Sequence, residues 1–134
     1  MPHPLAELII VAHILVKFGG GLITDKSQLK TINQGAITDL SVLIQYLIKN
    51  NHQVTIVHGA GSFGHLKAKK WKISEGTISE IENEQLVAVA AIRKDMMELN
   101  SYITKELIIQ GVESRSFPPS NWARGIGPNF KGSL

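Results

Sequence analysis

The chain has 134 residues, 43% of them hydrophobic and 19% charged, with a formal net charge of +3. That supports one modest domain with a true core and is too apolar for a disordered tail. There is no cysteine, which excludes disulfides, thiolate metal sites and a cysteine nucleophile and fits a reducing, cytoplasmic compartment.

The segment from Leu5 to Val16 is apolar but lacks a basic leader and carries Glu7. It falls short of the ~20 apolar residues of a membrane span, so no membrane partner is expected. Its second half opens a buried strand over residues 13–18. Residues 19–26 form a glycine turn, with Thr24 and Asp25 as capping candidates. Ile37, Leu40, Ile44, Leu47 and Ile48 recur at helical spacing and predict an amphipathic helix over 34–50. Residues 53–57 are a second strand. After Gly61-Ser62 a short helix runs to about Trp71, and Lys72 to Thr77 is a polar loop. Val89, Ile92, Met96, Leu99, Ile103 and Leu107 mark a long helix over about 83–110, closed by Gly111, with Met96-Met97 in the core. Val112 to Phe117 reads as a third strand stopped by Pro118-Pro119. From Ser120 onward Gly, Pro and Asn dominate without a period.

Strand and helix alternate, and the strands are continuously apolar. This pattern predicts a parallel α/β sheet covered on both faces, with ligands outside the carboxyl ends of its strands. Both glycine turns fall at that edge. In each, a strand stops at glycines and leaves backbone N–H groups for an anion, reinforced at a helix start by the dipole.

The first turn is Lys17-Phe18-Gly19-Gly20-Gly21-Leu22-Ile23-Thr24-Asp25-Lys26. Glycines let backbone approach a phosphate where a Cβ would obstruct, and three in a row exceed what a turn needs. Lys17 is read as a phosphate-binding cation rather than a strand-end lysine, and Lys26 as a cation that neutralises a transferring phosphoryl group. The second turn is His58-Gly59-Ala60-Gly61-Ser62-Phe63-Gly64-His65. His65, on the first helical turn, can reach the same anion, whereas His58 is read as structural. Lys67, Lys69, Lys70 and Lys72 are read as a solvated face. The five histidines form no pair at metal-ligand spacing, so no metal site is expected. Aromatic residues are few and not interleaved with basic ones, which disfavours nucleic acid. The literal G-x-G-x-x-G over 59–64 also fits a nucleotide-binding oxidoreductase domain, although an earlier strand and helix precede it. No P-loop motif is present.

Together the two motifs resemble the amino acid kinase superfamily, and within it the isopentenyl phosphate kinase family; the specific part is the Ser-Phe-Gly-His end of the second motif. The resemblance covers about residues 13–120. It implies a three-layer αβα sandwich with a mainly parallel sheet, here truncated. It also implies phosphorylation of isopentenyl phosphate by ATP and Mg2+, giving isopentenyl diphosphate for isoprenoid synthesis. By motif, Lys17, Gly19, Gly20, Gly21 and Ala60 would meet the ATP phosphates. Gly59 and His65 would hold the acceptor phosphate, and Lys26 would stabilise the transition state. Gly21 departs from the family pattern, which has serine there. Family members are longer, so residues 1–134 are expected to be the acceptor and phosphate part without the nucleotide half. The short chain is then inactive or incomplete alone, and a homodimer or a complementing C-terminal half is expected as partner. A non-catalytic phosphate-binding or interaction module is the other reading.

Overall fold

The computed structural model describes residues 10–123. Two strands, β1 (His13–Phe18) and β2 (Gln53–His58), pair in parallel from His13 opposite Gln53 to Phe18 opposite His58. Parallel partners need a long crossover. It is supplied by a single-turn helix α1 (Gly20–Ile23), a loop, and α2 (Gln34–Lys49). The Asn33 side chain caps α2 by accepting the Ala36 N–H. After β2 come a 3-10 turn (Gly61–Phe63), the short helix α3 (His65–Lys70), two further 3-10 turns, and the 28-residue α4 (Glu82–Ile109). Gly111, at a φ of 79°, closes α4. Its N–H bonds Ile108 O and the Val112 N–H bonds Leu107 O, which satisfies two orphan carbonyls.

Side chains alternate across a sheet, and here the alternation separates two different faces. Ile14, Val16 and Phe18 of β1 and Val54 and Ile56 of β2 point to the core, against Ile37 and Ile44 of α2 and Leu99, Ile103 and Leu107 of α4. Phe18, Ile23, Ile37, Phe63 and Leu99 are fully buried, each worth ~1.5–3 kcal/mol. The other face carries Leu15, 68% exposed, and Val57, 50% exposed. Cover on both faces is therefore not present among the described residues: α2 and α4 pack together on the core side alone, which is one helical layer of the expected sandwich.

Three further expectations change. Residues 113–117 are exposed and make no ladder, so the described sheet has two strands, not three; only Val112 of that segment reaches the core. Ile48 is exposed rather than part of the α2 stripe, and Met97 is exposed while Met96 packs on the core, because adjacent helical residues point about 100° apart. The N-terminal part of the apolar segment, residues 1–9, and the Gly-, Pro- and Asn-rich tail from 124 lie outside the described residues. Among those described, no helix is long and apolar enough to cross a membrane.

Candidate functional site

The register of the sheet builds the site. Phe18 sits opposite His58, so the chain leaves both strands side by side at the same carboxyl edge. The Gly59 N–H donates to Phe18 O at 3.0 Å, and the two glycine turns begin in contact. They then interlock backbone against backbone. A Cβ built on Gly20 would lie 2.3 Å from Gly61 N and 2.9 Å from Gly61 Cα. Gly61 has a φ of 49°, and a Cβ there would strike Thr24 Oγ1 at 1.9 Å and Gly20 O at 2.4 Å. Side chains at these two positions would hold the turns apart.

Thr24 and Ser62 fasten the joint. The buried Thr24 hydroxyl donates to Gly20 O at 2.6 Å and accepts the Ser62 N–H at 3.0 Å. Ser62 in turn holds the loop that follows the first turn: its hydroxyl accepts the Thr31 N–H at 3.2 Å, and its carbonyl accepts the Lys30 N–H at 3.3 Å. Phe63 is buried and meets Tyr102 of α4 edge-on, with ring centroids 6.3 Å apart. So the Ser-Phe of the second motif serves the architecture. Thr24 acts not as an isolated cap but as the bolt between the turns.

With the joint closed, the N–H groups of Gly20, Gly21, Ala60 and Gly61 donate to no acceptor among the described residues. Four donors on two touching turns make a cradle for anionic oxygens. The donors come from the turns more than from helix dipoles, since α1 has four residues and α3 six. Lys26 belongs to this place: its side chain folds over Gly21, where a Cβ would come 1.8 Å from Lys26 Cε. Gly21, with no side chain, is the residue that leaves room for it. Gly19 opens α1 and has nothing within 4 Å of a Cβ position. Lys17 lies two residues upstream, on the exposed face of β1. His65 begins α3 immediately after the second turn, exposed and without a hydrogen-bond partner among the described residues.

His58 has a structural setting. The Asn100 amide donates to its Nε2 at 3.2 Å, while Asn100 Oδ1 accepts the Ser116 hydroxyl at 2.6 Å. That leaves His58 Nδ1–H to donate to Gly59 O at 3.1 Å, so the ring steadies the first peptide of the second turn.

Sequence reasoning missed the charges beneath the site. Asp95 is 5% exposed on α4, and its carboxylate pairs with Lys67 of α3 and, at 3.4 Å, with Lys30. Lys30 also reaches Glu98 at 2.6 Å. Lys67 is thus not part of a solvated face. Burial pushes the Asp95 carboxyl up, but the two ammonium groups outweigh it and hold it below the usual aspartate value. The signal was available: Asp95 lies three residues after Ile92 and four before Leu99, on the apolar stripe of α4, where a charge must find partners.

The described residues bring together no group of three or more His, Asp or Glu suited to a metal ion.

Two strand-to-glycine turns locked at one carboxyl edge, with unpartnered N–H groups and a lysine beside them, define an α/β protein with backbone donors suited to an anion. The chain belongs to the amino acid kinase family, whose sequence model matches residues 13–125. It is similar to the isopentenyl phosphate kinase of Thermoplasma acidophilum, 30% identical over 107 residues, covering 80% of this chain and 41% of that protein. It is similar also to the isopentenyl phosphate kinase of Methanothermobacter thermautotrophicus, 32% identical over 117 residues, covering 83% and 42%. A solved isopentenyl phosphate kinase substrate complex aligns over 90% of this chain and 46% of its own, with a TM-score of 0.72 and 28% identity. The chain therefore has the amino acid kinase fold and spans less than half the length of these relatives. The family match gives no support to the oxidoreductase reading of the G-x-G-x-x-G.

Proposed function

We propose that this chain supplies the acceptor and phosphate part of a kinase that moves the γ-phosphoryl group of ATP onto isopentenyl phosphate, giving isopentenyl diphosphate and ADP. The observation that carries the reading is the interlocked pair of glycine turns with unpartnered N–H groups beside Lys26. Two anions must be brought together against their repulsion, and the acceptor phosphate is already a nucleophile. Positioning and charge neutralisation then do the work, without a strong base. An oxygen of the acceptor phosphate bonds to the γ-phosphorus as the bond to the β,γ-bridging oxygen breaks, and the electron pair leaves with ADP.

In this reading Lys17 and the backbone of Gly19, Gly20 and Gly21 hold the ATP phosphates, with Ala60 against them. Gly59 and His65 hold the acceptor phosphate, and Lys26 neutralises the group in transfer. The match spans less than half of the relatives' length; in this reading residues 1–134 act in the cytoplasm together with a C-terminal half like theirs, or with a second copy of the chain. The open sheet face at Leu15 and Val57 supports a covering partner.

The test is a titration of the 134-residue chain with isopentenyl phosphate, followed by amide NMR. Shifts confined to residues 19–26 and 59–65 are expected, with ATP turnover slow or absent. Shifts elsewhere, or none, refute the assignment. Binding with no turnover even after fusion to a complete nucleotide half favours the non-catalytic module. In that fusion, His65→Ala should weaken acceptor binding by about 1.5–3 kcal/mol, as expected for a lost charge-assisted hydrogen bond. His58→Ala should act on melting temperature instead.

A further inference from the structure

Lys30 has a left-handed backbone, with a φ of 51°, which a lysine adopts only when something holds it there. Two things do. Its N–H bonds Ser62 O, and its ammonium group turns inward to Asp95 and Glu98 on α4. Lys30 closes the loop that carries Lys26. Along that loop the Asp25 N–H bonds Thr31 O, and the Ser27 N–H bonds the Asp25 carboxylate. From the other side, Lys67 reaches the same Asp95 carboxylate. Lys67 lies two residues after His65, on a six-residue helix with no buried side chain of its own.

A helix that short, and a loop that exposed, have little apolar contact to fix them. Each is tied by one lysine to the Asp95 carboxylate on α4, the longest helix, and Lys30 reaches Glu98 of the same helix as well. The two segments carry two of the three side chains proposed to act on the phosphates, Lys26 and His65.

We infer that Asp95 is a positioning residue of the phosphate site: its carboxylate clamps the Lys26 loop through Lys30 and the His65 helix through Lys67, and so fixes the two relative to each other. The structural half of this inference stands on the ion pairs alone; its catalytic meaning rests on the function proposed above.

Amide hydrogen exchange on the full 134-residue chain separates the two. Asp95→Asn keeps the shape and removes the charge. It should speed exchange by about tenfold or more at Ser27, Lys30 and Thr31 and also at Ala68 and Trp71, while Leu99 and Ile103 stay slow. Lys30→Met should affect only the loop, and Lys67→Met only α3. Unchanged exchange in both segments, a uniform rise that includes the centre of α4, or a lysine variant that loosens both segments would overturn the clamp. Should Asp95→Asn fail to fold, the two lysine variants decide the matter by the same criterion. A second arm titrates isopentenyl phosphate itself. Binding about tenfold weaker in Asp95→Asn supports positioning, and unchanged binding with raised exchange reduces Asp95 to a structural tie. If the unaltered chain does not bind isopentenyl phosphate, the proposed function fails, and exchange alone still decides the clamp.

Discussion

Replacing Gly20 by alanine tests the interlock directly. The new Cβ would sit 2.3 Å from Gly61 N, 2.9 Å from Gly61 Cα and 3.1 Å from Ala60 N. All three are backbone atoms, so no side chain can swing away, and the turns must part by on the order of 1 Å to restore ordinary contact. Overpacking of this kind costs about 1–3 kcal/mol. Parting the turns also stretches the bonds from Thr24 to Gly20 O and from Ser62 N to Thr24, adding about 1 kcal/mol. The sum is about 2–4 kcal/mol, a large share of the stability of a small domain. Gly19→Ala is the control. Nothing lies within 4 Å of its Cβ position and its φ of −60° suits alanine, so it should be neutral or stabilise by about 0.4–1 kcal/mol. Urea unfolding of both variants, followed by circular dichroism, measures the difference. Equal stability of Gly20→Ala and Gly19→Ala would show that the turns do not touch as described.

Thr24→Val keeps the shape but leaves the buried Ser62 N–H without its partner, while Gly20 O keeps only the Thr24 backbone N–H; a loss of about 1–3 kcal/mol is expected in the same unfolding assay, largely recovered by Thr24→Ser. Gly21→Ser puts a Cβ 1.8 Å from Lys26 Cε, but the neighbour is the far end of a flexible side chain. Stability should therefore fall by less than about 1 kcal/mol while the Lys26 side-chain NMR signals move, and unmoved signals would place Lys26 away from the turn. The Asp95 carboxyl titrates below its ordinary value, so its contribution is fully present above that value and is lost as pH falls through the folded one. Thermal melts taken between about pH 6 and pH 2 should fall more steeply for the unaltered chain than for Asp95→Asn, and parallel curves would refute the ion pairs as the cause.

The strands, the two glycine turns and the long helix could be read from residues 13–110 because their signals are local. Continuous apolar runs, glycine clusters and a 3.6-residue period each act within a few neighbours along the chain. The family was legible for the same reason, since its motifs are contiguous. The third strand over 112–117 was not, because a strand exists only by pairing and no period inside the segment can supply a partner.

What the sequence determined by itself was the chemistry of the turns: which residues could bare backbone donors and which cations stood near them. Tertiary structure alone decided that the turns meet. The pairing of Phe18 with His58 sets them edge to edge, and only the resulting 2–3 Å approaches make Gly20 and Gly61 irreplaceable by a larger residue. It likewise gave Thr24, Ser62 and Asp95 their parts. Their partners lie 28 to 65 residues away in sequence, or across two elements, and a hydrogen bond or ion pair depends on distance in space rather than along the chain.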